Sequence, residues 1–344
     1  MYKRQAQDHV DPQLMFAGTE FGMFFTRDEG GNWTQLSAGI PTIACRDIEI
    51  QRRENDLVVA TFGRGFYILD DYTPLRNLTV ETMEQEAVIF PVKKALIYNP
   101  STPVGSSGRG HQGDQFYLAE NPPFGAVITY RLNKSLKTLE NQRRKEDKKK
   151  FKDGEPVYYP SWDELRAEDR EKDPAIILTI RDEDGNVVRR FNGPKSKGMH
   201  RVAWDLRYPD IASPVNLKRS GPTTPWDDVP AGPFAVPGKY TVTISQRVLG
   251  EETDLAGPVA FDIALLGNNP LQTDDFPGSI AFQKEAAQLY RAVQGAGRTL
   301  RETQDKLDHI RQAIHDTPTL DRGLLDTVDA LDEKLADLRV VMYG

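Results

Sequence analysis

The sequence is poor in the residues that build disulfides, metal clusters and membrane spans. Cys45 is the only cysteine among 344 residues, which excludes an intrachain disulfide and a cysteine-based metal cluster. No apolar run approaches the ~20 residues that a membrane-spanning helix needs. We therefore predict no membrane span, and a single cysteine does not indicate a redox compartment.

An excess of positive charge is also missing. Lys and Arg number 44 and Asp and Glu number 51, so the net charge is -7, which argues against a general nucleic-acid binder. The chain is 38% hydrophobic and 28% charged, as soluble globular proteins are, and it is long enough for two or three domains. We expect no nucleic-acid partner.

Two further kinds of site have little support. The histidines show no HExxH or similar metal-ligand spacing; they are His9, His111, His200, His309 and His315. Gly108, Gly110 and Gly113 satisfy the pattern G-x-G-x-x-G, but the QFYLAENPPFG that follows opposes the helix that a dinucleotide site requires. The sequence predicts no metal and no cofactor.

Two copies of one unit lie between Leu14 and Asp71. Five residues of the first copy recur at a constant offset of 43: Ala17, Gly22, Phe24, Phe25 and Asp28 match Ala60, Gly65, Tyr67, Ile68 and Asp71. Both copies consist of short strands, and a period of roughly 40 to 50 residues made of strands is typical of four-stranded propeller blades. We predict that residues 1–76 are the last two blades of a propeller. Because two blades cannot close a ring, the expected partner is the set of missing N-terminal blades of the same protein.

The first copy carries TRDEGGNW, which is an Asp box. The pattern predicts that Asp28 accepts hydrogen bonds from backbone N–H groups of its own turn, that Gly30 and Gly31 supply positive φ, and that the Trp33 ring packs on the hairpin. We therefore expect structural roles for Thr26, Asp28, Gly30 and Trp33. A ligand role for Asp28 is the alternative.

A different pattern follows the repeat. Residues 77–123 have little periodicity and are interpreted as a connector with a Gly-rich loop. Residues 124–266 contain alternating apolar segments separated by turns, which predict an antiparallel sandwich of immunoglobulin type. Residues 267–344 show a helical period interrupted at Thr317 and Pro318, which predicts an antiparallel helical hairpin, with a break or kink at Gly295 and Gly297.

A charged helical insert, residues 133–173, interrupts the predicted sandwich. Residues 137–152 have a net charge of +5 and residues 153–173 a net charge of -5. The first interpretation is a basic helix that folds beside an acidic one, beginning at an N-cap at Ser161, and neutralises it. The alternative is a docking arm for an acidic partner, because KEDKKKFK alone attracts polyanions.

Several motifs in this order resemble one family. The Asp box, VVATFGRGFYILDDYTPLR, NPPFGAVITYRL, MHRVAWDLRYP and PGKYTV are similar to the C-terminal third of large bacterial proteins with sortilin-type, bacterial-neuraminidase-repeat propellers, often labelled glycosyl hydrolases. The resemblance covers nearly the whole chain from Leu14. It implies an exported protein, periplasmic or secreted.

Two functions remain open at this stage. The first is a non-catalytic scaffold that binds a peptide or a glycan, since each strong motif has a structural explanation. The second is part of a glycoside hydrolase whose catalytic residues lie mostly in the missing blades, with one acid from Asp28, Asp70 or Asp71. Asp70 and Asp71 are adjacent in a strand end, so their side chains are expected to point to opposite faces and to serve a turn or cap.

Overall fold

The computed structural model describes residues 4–98, 119, 121–209, 232–267 and 275–343. They are mainly β-structure with helices, as the sequence predicts. The chain divides into two compact units. The first contains the described residues up to 206 together with 237–267, and the second contains 207–209, 232–236 and 275–343.

The first unit begins with two antiparallel sheets whose strands follow one another in chain order. The four-stranded sheet consists of β1 (Arg4–Gln7), β2 (Met15–Thr19), β3 (Gly22–Thr26) and β4 (Thr34–Leu36). The three-stranded sheet consists of β5 (Cys45–Gln51), β6 (Asp56–Thr61) and β7 (Phe66–Leu69). Alternating apolar side chains, among them Phe16, Phe25, Ile48 and Leu57, bury one face of each sheet in a shared core.

The 43-residue repeat is accurate in the first strand of each hairpin and fails in the second. Phe16 and Val59 are both buried, but Phe25 is 6% exposed whereas its predicted counterpart Ile68 is 60% exposed. Tyr67 packs on the core in its place. The cause is the loop: two residues separate the paired ends of β2 and β3, and five separate those of β6 and β7. A longer loop changes which side chains face inward.

Residues of the predicted connector, 77–123, contribute a strand to each of the two later sheets. A 3-10 helix (Thr73–Asn77) and α1 (Val80–Glu84) lead into β8 (Ala87–Ile89) and β9 (Ala95–Ile97). β8 pairs with one sheet and β9 with the other. Three-residue strands give too little alternation for a sequence pattern to identify them.

Two sheets form the rest of the first unit. The three-stranded sheet has the order β13 (Gly198–Trp204), β10 (Ala126–Leu132), β8. The five-stranded sheet has the order β12 (Val187–Gly193), β11 (Ala175–Asp182), β14 (Gly238–Val248), β15 (Glu251–Leu265), β9. They pack through aromatic rings: Trp204 lies 5.7 Å from Tyr240 and 6.3 Å from Phe261 between ring centroids. Trp204 is therefore a core residue.

Gly125 precedes β10 at a point where the chain leaves no room for a side chain. Its φ is +111°, and a Cβ there would lie 1.9 Å from the carbonyl oxygen of Trp204. The buried register of Trp204 opposite Ala126 brings the two backbones together. Only glycine fits such an approach.

The charged insert forms two helices, α2 (Leu139–Lys152) and α3 (Trp162–Arg170). Thr138 caps α2, and Ser161 with Glu164 forms a capping box on α3, at the predicted N-cap.

The second unit is an antiparallel helix pair, α4 (Phe276–Asp316) and α5 (Gly323–Tyr343), as predicted. Leu307, Ile314 and Val328 form its core. The expected break at Gly295 and Gly297 is absent, since α4 is continuous. Instead, a Cβ at position 297 would lie 2.4 Å from the Tyr343 hydroxyl, so this glycine admits the end of α5. Of the described residues within the predicted sandwich range 124–266, 207–209 and 232–236 group with these helices.

Candidate functional site

The Asp28 carboxylate is held by its own turn. Thr26 Oγ1 donates to it at 2.6 Å, and the backbone and side-chain amides of Asn32 donate at 2.8 and 2.7 Å. The hydrogen bond from Thr26, together with those from Asn32, lowers the pKa of Asp28 to about 2. A carboxylate so engaged has little capacity left for a ligand or for proton transfer.

The glycines of this turn act differently from the prediction. The residues with positive φ are Glu29 (56°) and Gly30 (99°), and Gly31 is not among them. Gly31 is restricted by space, because a Cβ there would lie 3.0 Å from Asp28 Oδ2. Trp33 donates its indole N–H to the Gly30 carbonyl at 3.1 Å and remains 38% exposed.

A second turn of this kind joins β11 and β12. Asn186 donates its backbone N–H to Asp182 Oδ1 at 2.8 Å and its side-chain amide to Oδ2 at 3.2 Å. Gly185 N donates to the Asp182 carbonyl at 3.0 Å, as Gly31 N does to Asp28 at 3.1 Å.

We expect Thr26→Val to destabilise the first unit by about 1 to 2 kcal/mol, because the half-buried Gly30 N–H loses its acceptor and the Asp28 carboxylate loses a donor. Thr26 is 1% exposed, and its hydroxyl also accepts the Gly30 N–H at 3.1 Å. Thr26→Ser keeps the hydroxyl and is the matched control. Thermal unfolding of the two variants measures the difference; equal stability would show that the hydroxyl is dispensable.

Asp70 and Asp71 have separate environments. The Asp71 carboxylate accepts the Thr73 hydroxyl at 2.6 Å and the Thr73 N–H at 3.2 Å, so it stabilises the turn that leads into the 3-10 helix. Its own N–H donates to Asp56 Oδ1 at 2.9 Å. Asp70 is half-buried, and no other described residue donates a hydrogen bond to its carboxylate. Burial and the nearby Asp56 charge raise its pKa.

Asp70 lies in a cleft of about 300 Å³, which we call the Asp70 cleft. Charged side chains of both signs line it: Glu54, Asp56, Asp70, Asp71, Lys93, Lys94 and Arg201. Tyr98 lines the cleft as well and is 41% exposed. The Tyr98 ring lies edge-on against Phe124, with centroids 5.1 Å apart.

Most of the charges in the cleft are already paired. Lys93 contacts Glu54, and that hydrogen bond lowers the pKa of Glu54. Arg201 donates to the carbonyl oxygens of Asp70 at 2.5 Å and Asp71 at 2.8 Å, which ties β13 to the end of β7. Lys94 makes no ion pair among the described residues. Asp70 and Lys94 are therefore the charged groups best placed for a ligand.

Beside the Asp70 cleft, an apolar cavity of about 510 Å³ lies between the two N-terminal sheets and the sheet of β13, β10 and β8. Its lining includes Leu57, Val59, Tyr67, Met199 and Arg201. Arg201 borders both spaces.

A buried ionic network was missed by the sequence analysis. Arg76 donates to both carboxylate oxygens of Asp8 at 2.7 and 2.8 Å, and Tyr72 Oη donates to Asp8 at 2.5 Å. Asn55 accepts from Arg76 at 2.6 Å, and His9 Nδ1 lies 3.5 Å from Asp8 Oδ1. Burial raises the pKa of Asp8, but the bonds from Arg76 and Tyr72 outweigh it and lower that pKa to about 2. The network joins residues 64 to 68 positions apart.

The described histidines do not gather into a site. His200 lies 2.6 Å from the Ser196 carbonyl oxygen, and His309 lies 2.6 Å from that of Asp305. Among the described residues, no group of His, Cys, Asp and Glu could hold a metal ion. The G-x-G-x-x-G glycines and His111 lie outside the described residues. No helix in the described part of the chain is long and apolar enough to span a bilayer.

Comparison with known proteins gives little. No family model matches the chain, and no curated protein matches it. One solved structure with a slight similarity is the extracellular domain of a hybrid two-component system from B. thetaiotaomicron, at 8% identity and a TM-score of 0.18. The match covers 76% of this chain and 26% of the other, so the chain spans about a quarter of that domain's length.

Proposed function

We propose that this chain is the C-terminal part of an exported Asp-box propeller protein and serves as a non-catalytic scaffold that binds a peptide or glycan at the Asp70 cleft. The two N-terminal sheets are its last blades, and the two later sheets are an immunoglobulin-like sandwich. Consecutive antiparallel sheets in chain order and the Asp28 turn support the blades. The motif resemblance supports export and the missing upstream blades.

The Asp70 carboxylate is the observation that carries the binding role. It is half-buried, and no other described residue donates to it, so a hydroxyl or amine of a ligand would satisfy it. Lys94 supplies a cation in the same cleft and Tyr98 an exposed ring. Polar groups that converge on a cleft fix the orientation of a ligand, and an aromatic ring beside them adds apolar contact.

The same geometry disfavours catalysis by this part of the protein. A glycosidase needs two carboxylates across the scissile bond. Asp28 is engaged by its turn, Asp71 by Thr73, and Asp56 by the Asp71 N–H. Glu54, the other carboxylate of the Asp70 cleft, is bound by Lys93, so among the described residues of the cleft Asp70 is the carboxylate without a donor from another residue. Its raised pKa suits a general acid, so a glycoside hydrolase completed by residues of other blades is the second candidate.

Binding to a glycan array and to a peptide library tests the proposal, with affinities measured by calorimetry. We expect Asp70→Asn to weaken binding of the best ligand by about tenfold, because a charge-assisted hydrogen bond is replaced by a neutral one. Asp47→Asn, an exposed carboxylate of β5, is the matched control and should leave affinity unchanged.

Activity on a glycoside panel separates the two candidates. We expect no turnover by this chain. Turnover that Asp70→Asn abolishes while the fold is retained would establish the hydrolase, and the absence of any ligand on either array would contradict the binding role.

A further inference from the structure

The two charged helices of the insert neutralise each other along one face only. Arg143 binds Glu168 through two hydrogen bonds, at 2.5 and 2.8 Å, and the Leu139 N–H donates to Glu171 at 2.6 Å. Leu139, Arg143 and Asp147 are half-buried. The predicted mutual neutralisation is therefore present but covers a single helix face.

The opposite face of α2 is a stripe of lysines. Lys145, Lys148, Lys149 and Lys152 have the spacing i, i+3, i+4 and i+7, so they share one side of the helix. All four are exposed, and none makes an ion pair with a described residue. Both arginines of the helix are already occupied, Arg143 by Glu168 and Arg144 by Glu140. The positive charge left for a partner thus belongs to lysines.

Aromatic side chains adjoin this lysine stripe in sequence. Four of them lie within residues 151–162 with exposed fractions of 75 to 84%: Phe151, Tyr158, Tyr159 and Trp162. Exposed apolar side chains that are grouped, rather than scattered singly, mark interaction sites on protein surfaces. Tyr and Trp are also the residues that contribute most at protein interfaces.

We propose that the lysine stripe and these rings, named here the insert surface, bind an acidic segment of another protein. Lysines attract carboxylates, and the rings offer apolar contact beside them. A long polyanion such as nucleic acid or a charged polysaccharide fits less well than a short acidic segment, because it would extend beyond the lysine stripe along residues 153–173, whose net charge of -5 repels it. α2 also lacks the apolar face of a membrane-surface helix, since its hydrophobic residues are Leu139 and Phe151.

Fluorescence anisotropy with a defined probe tests this inference. The probe is a labelled peptide in which two of every three residues are Asp or Glu and the third is Phe or Leu. We expect micromolar binding that weakens by about tenfold between low and physiological salt. Replacing all four lysines of the stripe with Gln should weaken binding by at least about tenfold. Tyr158→Ala with Tyr159→Ala should weaken it without changing the salt dependence.

The matched control removes the same charge elsewhere: Lys197→Gln, Lys239→Gln, Lys306→Gln and Lys334→Gln are all at exposed positions. Circular dichroism checks that each variant keeps its helices. An equal loss of affinity in the control, no binding of the peptide, or tighter binding of single-stranded DNA or heparin than of the peptide would each overturn the proposal. Retained binding in the control together with loss in the stripe variant supports it.

Discussion

Asp8→Ala is expected to lower the free energy of unfolding of the first unit by about 3 to 5 kcal/mol, the range found when one partner of a buried ion pair is removed. The Asp8 side chain is fully buried, and its loss leaves Arg76, whose side chain is 16% exposed, without its carboxylate. Tyr72, 1% exposed, loses the acceptor of its hydroxyl as well. Chemical denaturation measures the change.

The stability that Asp8 contributes should be lost at acid pH. Its pKa is lowered from 3.8 to about 2 by folding, so the folded chain gives up the proton more readily than the unfolded chain. The stabilisation, about 2 kcal/mol, is therefore complete above pH 4 and is lost as the pH falls to 2. In the Asp8→Asn variant, the free energy of unfolding should change less between pH 4 and pH 2 than in the original chain.

An exposed ion pair serves as the control for Asp8. Arg4 lies 3.9 Å from Asp47, and both side chains are more than half exposed, so Asp47→Ala should cost under about 1 kcal/mol. If Asp8→Ala costs no more than Asp47→Ala, the buried network does not hold the N-terminal sheets together.

Gly125→Ala is expected to have an effect as large, about 4 kcal/mol or more, or to prevent folding. The new Cβ would lie 1.9 Å from the Trp204 carbonyl oxygen, and backbone cannot rotate away as a side chain can. The clash would separate β10 from β13 and open the core around Trp204.

Substitution of Gly125 has two costs, the clash with Trp204 and the strain of a side chain at positive φ. Gly198→Ala measures the second cost separately. Gly198 has a similar φ, +125°, but no atom lies within 4 Å of its would-be Cβ, so it reports the conformational cost alone, about 1 to 2 kcal/mol. Thermal unfolding of both variants gives the difference. Similar losses would mean that the contact with Trp204 contributes nothing.

The sequence predicted elements whose pattern is local. The periodicity of apolar residues predicts the helix pair and the longer strands. Ser161 and Thr26 have the positions in their turns that their motifs predict. The strands β8 and β9 were missed because three residues hold too little pattern, and their pairing depends on distant partners. The constant offset failed at Ile68 because loop length, which the alignment ignored, sets the register.

The site was less predictable than the fold. Asp8 and Arg76 are 68 residues apart, and nothing near either one indicates that they meet. Asp70 was weighed with Asp71 as a neighbour in sequence, whereas its surroundings come from Asp56 and Arg201, contributed by other strands. Such clusters follow from topology, which a single sequence does not state.

The two Asp–Asn turns show how short a sequence pattern is enough to close a hairpin. Both read D-x-x-G-N, and these are the only places in the chain where that string occurs. The intervening backbones differ, with positive φ at Glu29 and Gly30 in one turn and at Gly185 in the other. The Asp, Gly and Asn of this pattern are therefore enough for the hydrogen-bonded turn, and the Thr and Trp of the longer motif have separate roles. A motif search that requires every residue of the Asp box would find the turn at Asp28 and miss the turn at Asp182.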